Sequence, residues 1–150
     1  MITKSSGFSL VELLVVVAII GILSATSITL YSGYITSAKR SAAKNLIAQV
    51  ALAQSEQYAN SGTYFKTNSD EVCTPVDPGG TNGENQIVDI EVALFDGERT
   101  IPRDGNFGYC IGGTDSANFL AVALEFKGGN STGCSYTTRK RGGVQPSEDC

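Results

Sequence analysis

From Leu13 to Ala38 the chain carries no charged residue, and the first part of that run, Leu13-Leu-Val-Val-Val-Ala-Ile-Ile-Gly-Ile-Leu23, is almost purely aliphatic. A helix rises about 1.5 Å per residue, so roughly 20 such residues cross the hydrocarbon of a bilayer. Leu13 to Ile35 meets that length. The competing reading, a buried core helix of a soluble protein, fits a run of this length less well.

The run divides the chain. Ahead of it lies a short polar segment, Met1 to Gly7, with one lysine, Lys4. Behind it the pattern turns amphipathic. Ala43, Leu46, Ile47, Val50 and Ala53 recur at three-and-four spacing, with Lys39, Arg40, Lys44, Gln49 and Glu56 at polar positions between them. Neither part contains proline, so a single helix from about Ser9 to Ala59 is expected, roughly 75 Å long. Asn60-Ser61-Gly62 is a stop, because glycine accepts the left-handed conformation that ends helices.

Beyond Thr63 the pattern predicts turns and short strands. Residues 66–85 read as loop, with Pro75, Pro78, Gly79, Gly80 and Gly83. Val88, Ile90, Val92 and Leu94 alternate with Asp89, Glu91 and Ala93, which predicts a half-buried strand. Asn106 to Ile111 and Phe119 to Phe126 read as further strands, separated by Gly112-Gly113-Thr114-Asp115. Leu120, Val122, Leu124 and Phe126 share one side of the second. Lys127 to Gly133 reads as a turn and Cys134 to Arg139 as the last strand. The predicted class is α+β: a long N-terminal helix, apolar then amphipathic, packed on the apolar face of a small antiparallel sheet.

Charge and cysteines narrow the function. There are 11 Lys and Arg against 15 Asp and Glu, a net charge of −4, so no dedicated nucleic-acid binding is expected. Cys73, Cys110, Cys134 and Cys150 all follow the apolar run. An even count in a loop-rich region points to two disulfides and an oxidising compartment, with three pairings open. A four-thiolate zinc site normally uses closely spaced Cys pairs, which are missing. Histidine is absent, removing the commonest general base, and no enzyme activity is expected. One rule disagrees on topology. Lys4 precedes the run while Lys39, Arg40 and Lys44 follow it, which by charge alone places the C-terminal region in the cytoplasm. The cysteines place it outside.

Glu12 decides between these readings. A carboxylate within a helix's bilayer portion costs about 2.5–3.5 kcal/mol, less near the interface, and calls for a partner. No basic residue lies within a helical turn or two on its C-terminal side. A cut after Gly7 would create an amino group at Phe8, and in a bundle of staggered identical helices one chain's Glu12 can meet another chain's terminus. An interfacial glutamate in the headgroups is the plainer alternative. A secretory cleavage near Ser24-Ala25-Thr26-Ser27 would instead release a soluble protein.

Gly7-Phe8-Ser9-Leu10-Val11-Glu12-Leu13-Leu14, running into Val15 to Leu23, resembles the N-terminus of a type IV prepilin. Tyr58 through Gly62-Thr63-Tyr64 is similar to the end of the long helix in that family. The resemblance implies a leader (1–7), a transmembrane and filament-core helix (8–36), and an amphipathic half-helix with a disulfide-containing sheet head (37–150), a lollipop-shaped subunit. It implies cleavage after Gly7 and N-methylation of Phe8 by a prepilin peptidase/methyltransferase. It further implies an inner-membrane precursor, an inner-membrane assembly platform, and homopolymerisation into an extracellular pilus through the Glu12–Phe8 charge pair. Cys134–Cys150, closing a C-terminal loop as in many pilins, and Cys73–Cys110 are the favoured pairs. Many members carry proline about two turns after the glycine matching Gly21. Thr29 stands there and neither removes a backbone donor nor clashes with the preceding turn. A pseudopilin of a secretion or competence system shares this N-terminus, and a tethered, non-polymerising binding module is the alternative of another class. Arg139-Lys140-Arg141 could touch DNA or an anionic surface, though such triplets are usually solvated. Asn130-Ser131-Thr132 matches the glycosylation sequon.

Overall fold

The computed structural model describes residues 7–68, 73–113 and 117–150, the side chains of 28–30 excepted. Residues 1–6 of the expected leader, the expected Thr114-Asp115 turn and the Thr29 side chain lie outside the described residues. Two compact units divide the chain, Met1–Ala38 and Lys39–Cys150. Helix α1, Leu10–Ser61, has residues in each. It ends as the stop signal requires: Gly62 takes φ +75° and its N–H donates to the Tyr58 carbonyl at 2.8 Å.

In the C-terminal unit α1 supplies Ala43, Leu46, Ile47 and Val50, all at most 5% exposed, to the main core cluster. Gln54 lies on the same face and is fully buried. Its amide meets one backbone position in both senses, accepting from Phe65 N–H at 2.9 Å and donating to the Phe65 carbonyl at 2.7 Å. A buried polar side chain is tolerated when its groups are paired, and here the pairing pins the chain as it leaves the helix.

The strand expected from Val88 to Leu94 is overturned: residues 81–94 are helical. They form α2, Thr81–Leu94. Ile87, Ile90 and Glu91 are buried with Gly83, whereas Val88 and Val92 are 39% and 63% exposed. The apolar positions of so short a stretch fit periods of 2 and 3.6 alike. Burial settles the ambiguity, because only a helix turns Glu91 inward while leaving Asp89 outside. The loop expected over 66–85 is correspondingly shorter, since its last residues open the helix. A Cβ on Gly83 would collide with the Asp77 carbonyl, so the helix start packs directly on the preceding turn.

The sheet is antiparallel, in the order β1 (Phe107–Gly112), β2 (Leu120–Lys127), β3 (Asn130–Arg139), β4 (Gln145–Pro146). The turn expected from Lys127 to Gly133 is shorter. Gly128 and Gly129 close it alone with φ of +60° and +82°, and Lys127 pairs with Asn130. Two successive positive φ values match the twist of the flanking strands, so β3 begins at once. The two-residue β4 is too short to show an alternation of its own.

Both faces of the sheet are covered. Ala121 and Ala123 of β2 join the main cluster with α1, Phe107, Tyr109, Ile111 and Tyr136. Leu120 and Val122, the side expected to meet the helix, instead form a second cluster with Cys73 and Cys110. Alternation therefore places the residues correctly in relation to one another, but α1 packs over the small ones.

Candidate functional site

The N-terminal helix is the site with the least internal support. Leu10–Ser27 has a mean hydropathy of 2.4 and none of that window is buried. Phe8 is 81% exposed, Leu10 79% and Ile22 69%. At 1.5 Å per residue such a span is about 27 Å long, close to the ~30 Å of a bilayer core. Its hydroxyl groups satisfy themselves on the preceding turn. Ser24 Oγ donates to the Ile20 carbonyl at 2.7 Å, and Ser27 Oγ to that of Leu23 at 2.7 Å. Such back-bonding lets serine reside in an apolar surround.

Gly7 is exposed, with open space around its Cβ position. Glu12 lies on the first turn, where its Oε2 accepts from the Ser9 N–H at 2.9 Å. This is the back-reaching half of a capping box, and the acidic group also suits the positive end of the helix dipole. Glu12 is thus a helix cap in the isolated chain, at the first helical residues following the Gly7-Phe8 junction.

The four cysteines form Cys73–Cys110, 37 residues apart, and Cys134–Cys150, 16 apart. The first joins the loop before α2 to β1. The second closes the C-terminal segment onto β3, where Ser147 receives the Ser135 N–H at 2.9 Å and donates to the Gly133 carbonyl at 3.1 Å. Of the basic triplet, Lys140 is engaged: its Nζ donates to the Ala117 carbonyl at 3.0 Å and lies 5.2 Å from the Tyr58 ring centre. Tyr58 in turn stacks on Tyr64 at 4.5 Å. Arg139 and Arg141 remain exposed.

Two buried carboxylates are not legible from sequence reasoning. Glu91, 3% exposed, accepts from the Ile101 N–H at 2.8 Å and from Arg103 Nη2 at 2.7 Å. Glu125, 8% exposed, takes Arg40 Nη2 at 2.8 Å and Thr132 Oγ1 at 2.8 Å. An acid within the apolar run Leu120–Phe126 is the available signal for the second. These pairs also bear on the topology conflict. Lys39 and Arg40, two of the three bases behind the apolar run, are matched by Asp104 and Glu125.

The helix left uncovered ahead of a disulfide-bonded α+β domain is long and apolar enough to cross a membrane. Residues 2–28 match the prokaryotic N-terminal methylation motif, and residues 29–92 match the family described as type IV minor pilin ComP, DNA uptake sequence receptor. Residues 2–92 are thus similar to type IV pilins across two consecutive family models. It is 40% identical over 63 residues, 42% of its length, to the fimbrial protein EcpC of Eikenella corrodens. It is 37% identical over 73 residues, 49% of its length, to the type IV major pilin protein PilE1 of Neisseria gonorrhoeae. Over 101 residues, 66% of its length, it is 32% identical to a probable minor fimbrial protein of Dichelobacter nodosus. The chain spans 41%, 34% and 63% of these relatives' own lengths. No solved structure gives a significant match.

Proposed function

We propose that this chain is a subunit of a type IV pilus. It is cleaved between Gly7 and Phe8 and methylated on Phe8 by a prepilin peptidase/methyltransferase. It is then held in the inner membrane by residues 8–36 and moved by an assembly platform into an extracellular filament of identical subunits. The observation that carries this reading is the uncovered span Leu10–Ser27. Each large aliphatic side chain gains roughly 1.5–3 kcal/mol on burial, so a helix this apolar does not remain in water. In the membrane lipid covers it; in a filament other helices do. Glu12, its one acid, meets the neighbouring Phe8 amine in this account. The test is recovery of the chain in sheared surface filaments with Phe8 as its first residue.

A second reading rests on the match of residues 29–92, whose family description names a DNA uptake sequence receptor. The net charge of −4 speaks against DNA binding by the domain as a whole, so a local patch would have to carry it. Arg139 and Arg141 are exposed and flank Lys140, outside the matched residues, and are the pair to test first. On this reading the full chain binds duplex DNA, and replacing both arginines by glutamate weakens binding at least tenfold. The slope of affinity against salt also falls by about one for each phosphate charge no longer neutralised. Unchanged affinity and slope in the double variant would leave the triplet a solvated turn.

A further inference from the structure

The first residues of α1 that belong to the C-terminal unit are held by charge. Core burial on this helix begins at Ala43, while Ser41 and Ala42 are exposed and Lys39 and Arg40 only half-buried. Arg40 reaches three acceptors. Nε donates to Glu125 Oε1 at 3.3 Å, Nη2 to Glu125 Oε2 at 2.8 Å, and Nη1 to a main-chain oxygen of Cys150 at 3.0 Å. The sheet is arranged to present this acid. Register between β2 and β3 shifts at Glu125, and the bulge brings Thr132 Oγ1 to 2.8 Å from its Oε2. Cys150 is tied to fully buried Cys134. One residue earlier, Lys39 Nζ lies 3.3 Å from Asp104 Oδ2.

We propose that Arg40, Glu125, Lys39 and Asp104 form an acid-releasable clamp that fixes where the head domain's hold on α1 begins. Opening it moves that boundary from Lys39 back to Ala43, about one helical turn or roughly 6 Å of helix. Arg40–Glu125 carries most of the hold, since its side chains are 29% and 11% exposed. Lys39 and Asp104, at 37% and 41%, are screened by solvent.

The groups facing the clamp set its pH response. Glu125 meets Arg40 from α1 and Thr132 from β3, with Lys127 on its own strand. The Arg40 hydrogen bond, helped by Thr132 and opposed by burial, holds Glu125 below the ordinary carboxylate range. The same hydrogen bond raises Arg40, with a further push from Tyr136. At Asp104 burial pushes upward, but hydrogen bonds from Asn106 and Lys39 outweigh it and leave this acid lowered too. Burial raises the Tyr109 phenol beside it, so that group stays neutral. A lowered carboxylate stabilises above its unfolded pKa and loses that contribution as pH falls through its folded value. The clamp is therefore closed at neutral pH and opens below the ordinary carboxylate range.

Amide hydrogen exchange on the full chain in detergent micelles tests this. At neutral pH, Glu125→Gln should speed exchange of residues 39–44 about tenfold or more while β1 and β2 keep their protection, as loss of a charge-assisted hydrogen bond implies. Asp104→Asn should do less, and added salt should erase its effect. The swapped pair Arg40→Glu with Glu125→Arg should restore slow exchange, and it decides the matter should single variants fail to fold. In the unmodified chain, acid should produce the same local opening once rates are corrected for intrinsic chemistry. Unchanged exchange at 39–44 in Glu125→Gln would overturn the clamp. So would a swapped pair that leaves those residues open.

Discussion

Glu12→Gln is expected to stop filament assembly while membrane insertion and processing continue. The variant separates two roles of one side chain. In the single chain Glu12 caps the helix by accepting the Ser9 N–H at 2.9 Å, and glutamine's carbonyl oxygen can keep that bond. Glutamine cannot supply a negative charge to a neighbouring subunit's Phe8 amine. Insertion should become easier, because an uncharged side chain enters the bilayer at lower cost. Gly7 is untouched, so cleavage should proceed. An unpaired amine in a low-dielectric bundle costs several kcal/mol, enough to cut filament yield by about a hundredfold or more. Glu12→Ala should do the same and also lose the bond to the Ser9 N–H, worth about 0.5–1.5 kcal/mol. Abundant, normal filaments made only of Glu12→Gln subunits would refute charge pairing and leave helix packing as the driver.

The largest effect on stability is expected at Glu91. Its carboxylate sits at 3% exposure between the Ile101 amide and the Arg103 guanidinium. Arg103 has little else: Nε and Nη1 are buried without a hydrogen-bond acceptor among the described residues, and Glu84 Oε1 stands 3.8 Å from Nε. Glu91→Ala would remove the main partner of a cation that is only 21% exposed and leave it Glu84 alone, at a cost of about 2–4 kcal/mol. Domains of this kind are stable by about 5–15 kcal/mol, so denaturant unfolding with the disulfides intact should show a large shift in midpoint. Glu91→Gln, which keeps an acceptor for Ile101, should cost less. A loss below about 1 kcal/mol in the alanine variant would mean that Arg103 finds another partner.

What the sequence discloses and what it hides follow from the range of the interactions. The apolar run, the amphipathic Ala43–Val50 pattern and the Gly62 stop are local, so α1 can be read within one or two residues of its ends. The strands around Phe107 and Leu120 are likewise visible in their alternation. Val88–Leu94, the second half of α2, reads wrongly as a strand because its short apolar pattern admits both periods, and the partner that draws Glu91 inward, Arg103, lies in another segment. Arg40 and Glu125 are 85 residues apart, and nothing in either neighbourhood names the other. Gln54 is hidden for the same reason: its partner is the backbone of Phe65, which has no sequence signature. At the N-terminus, Gly7, Phe8 and Glu12 are legible only as a motif. On the proposed function, what would make them meaningful, a new amine and a neighbouring helix, comes from other molecules.

The most direct test of the account is the identity of the first residue in assembled material. Surface filaments sheared from cells expressing this chain should contain it, and mass spectrometry of the N-terminal peptide should read N-methylated Phe8 followed by Ser9 and Leu10. Intact Met1 in those filaments, a start after Ala25, or confinement of the mature protein to the membrane would contradict assembly through a processed N-terminal helix.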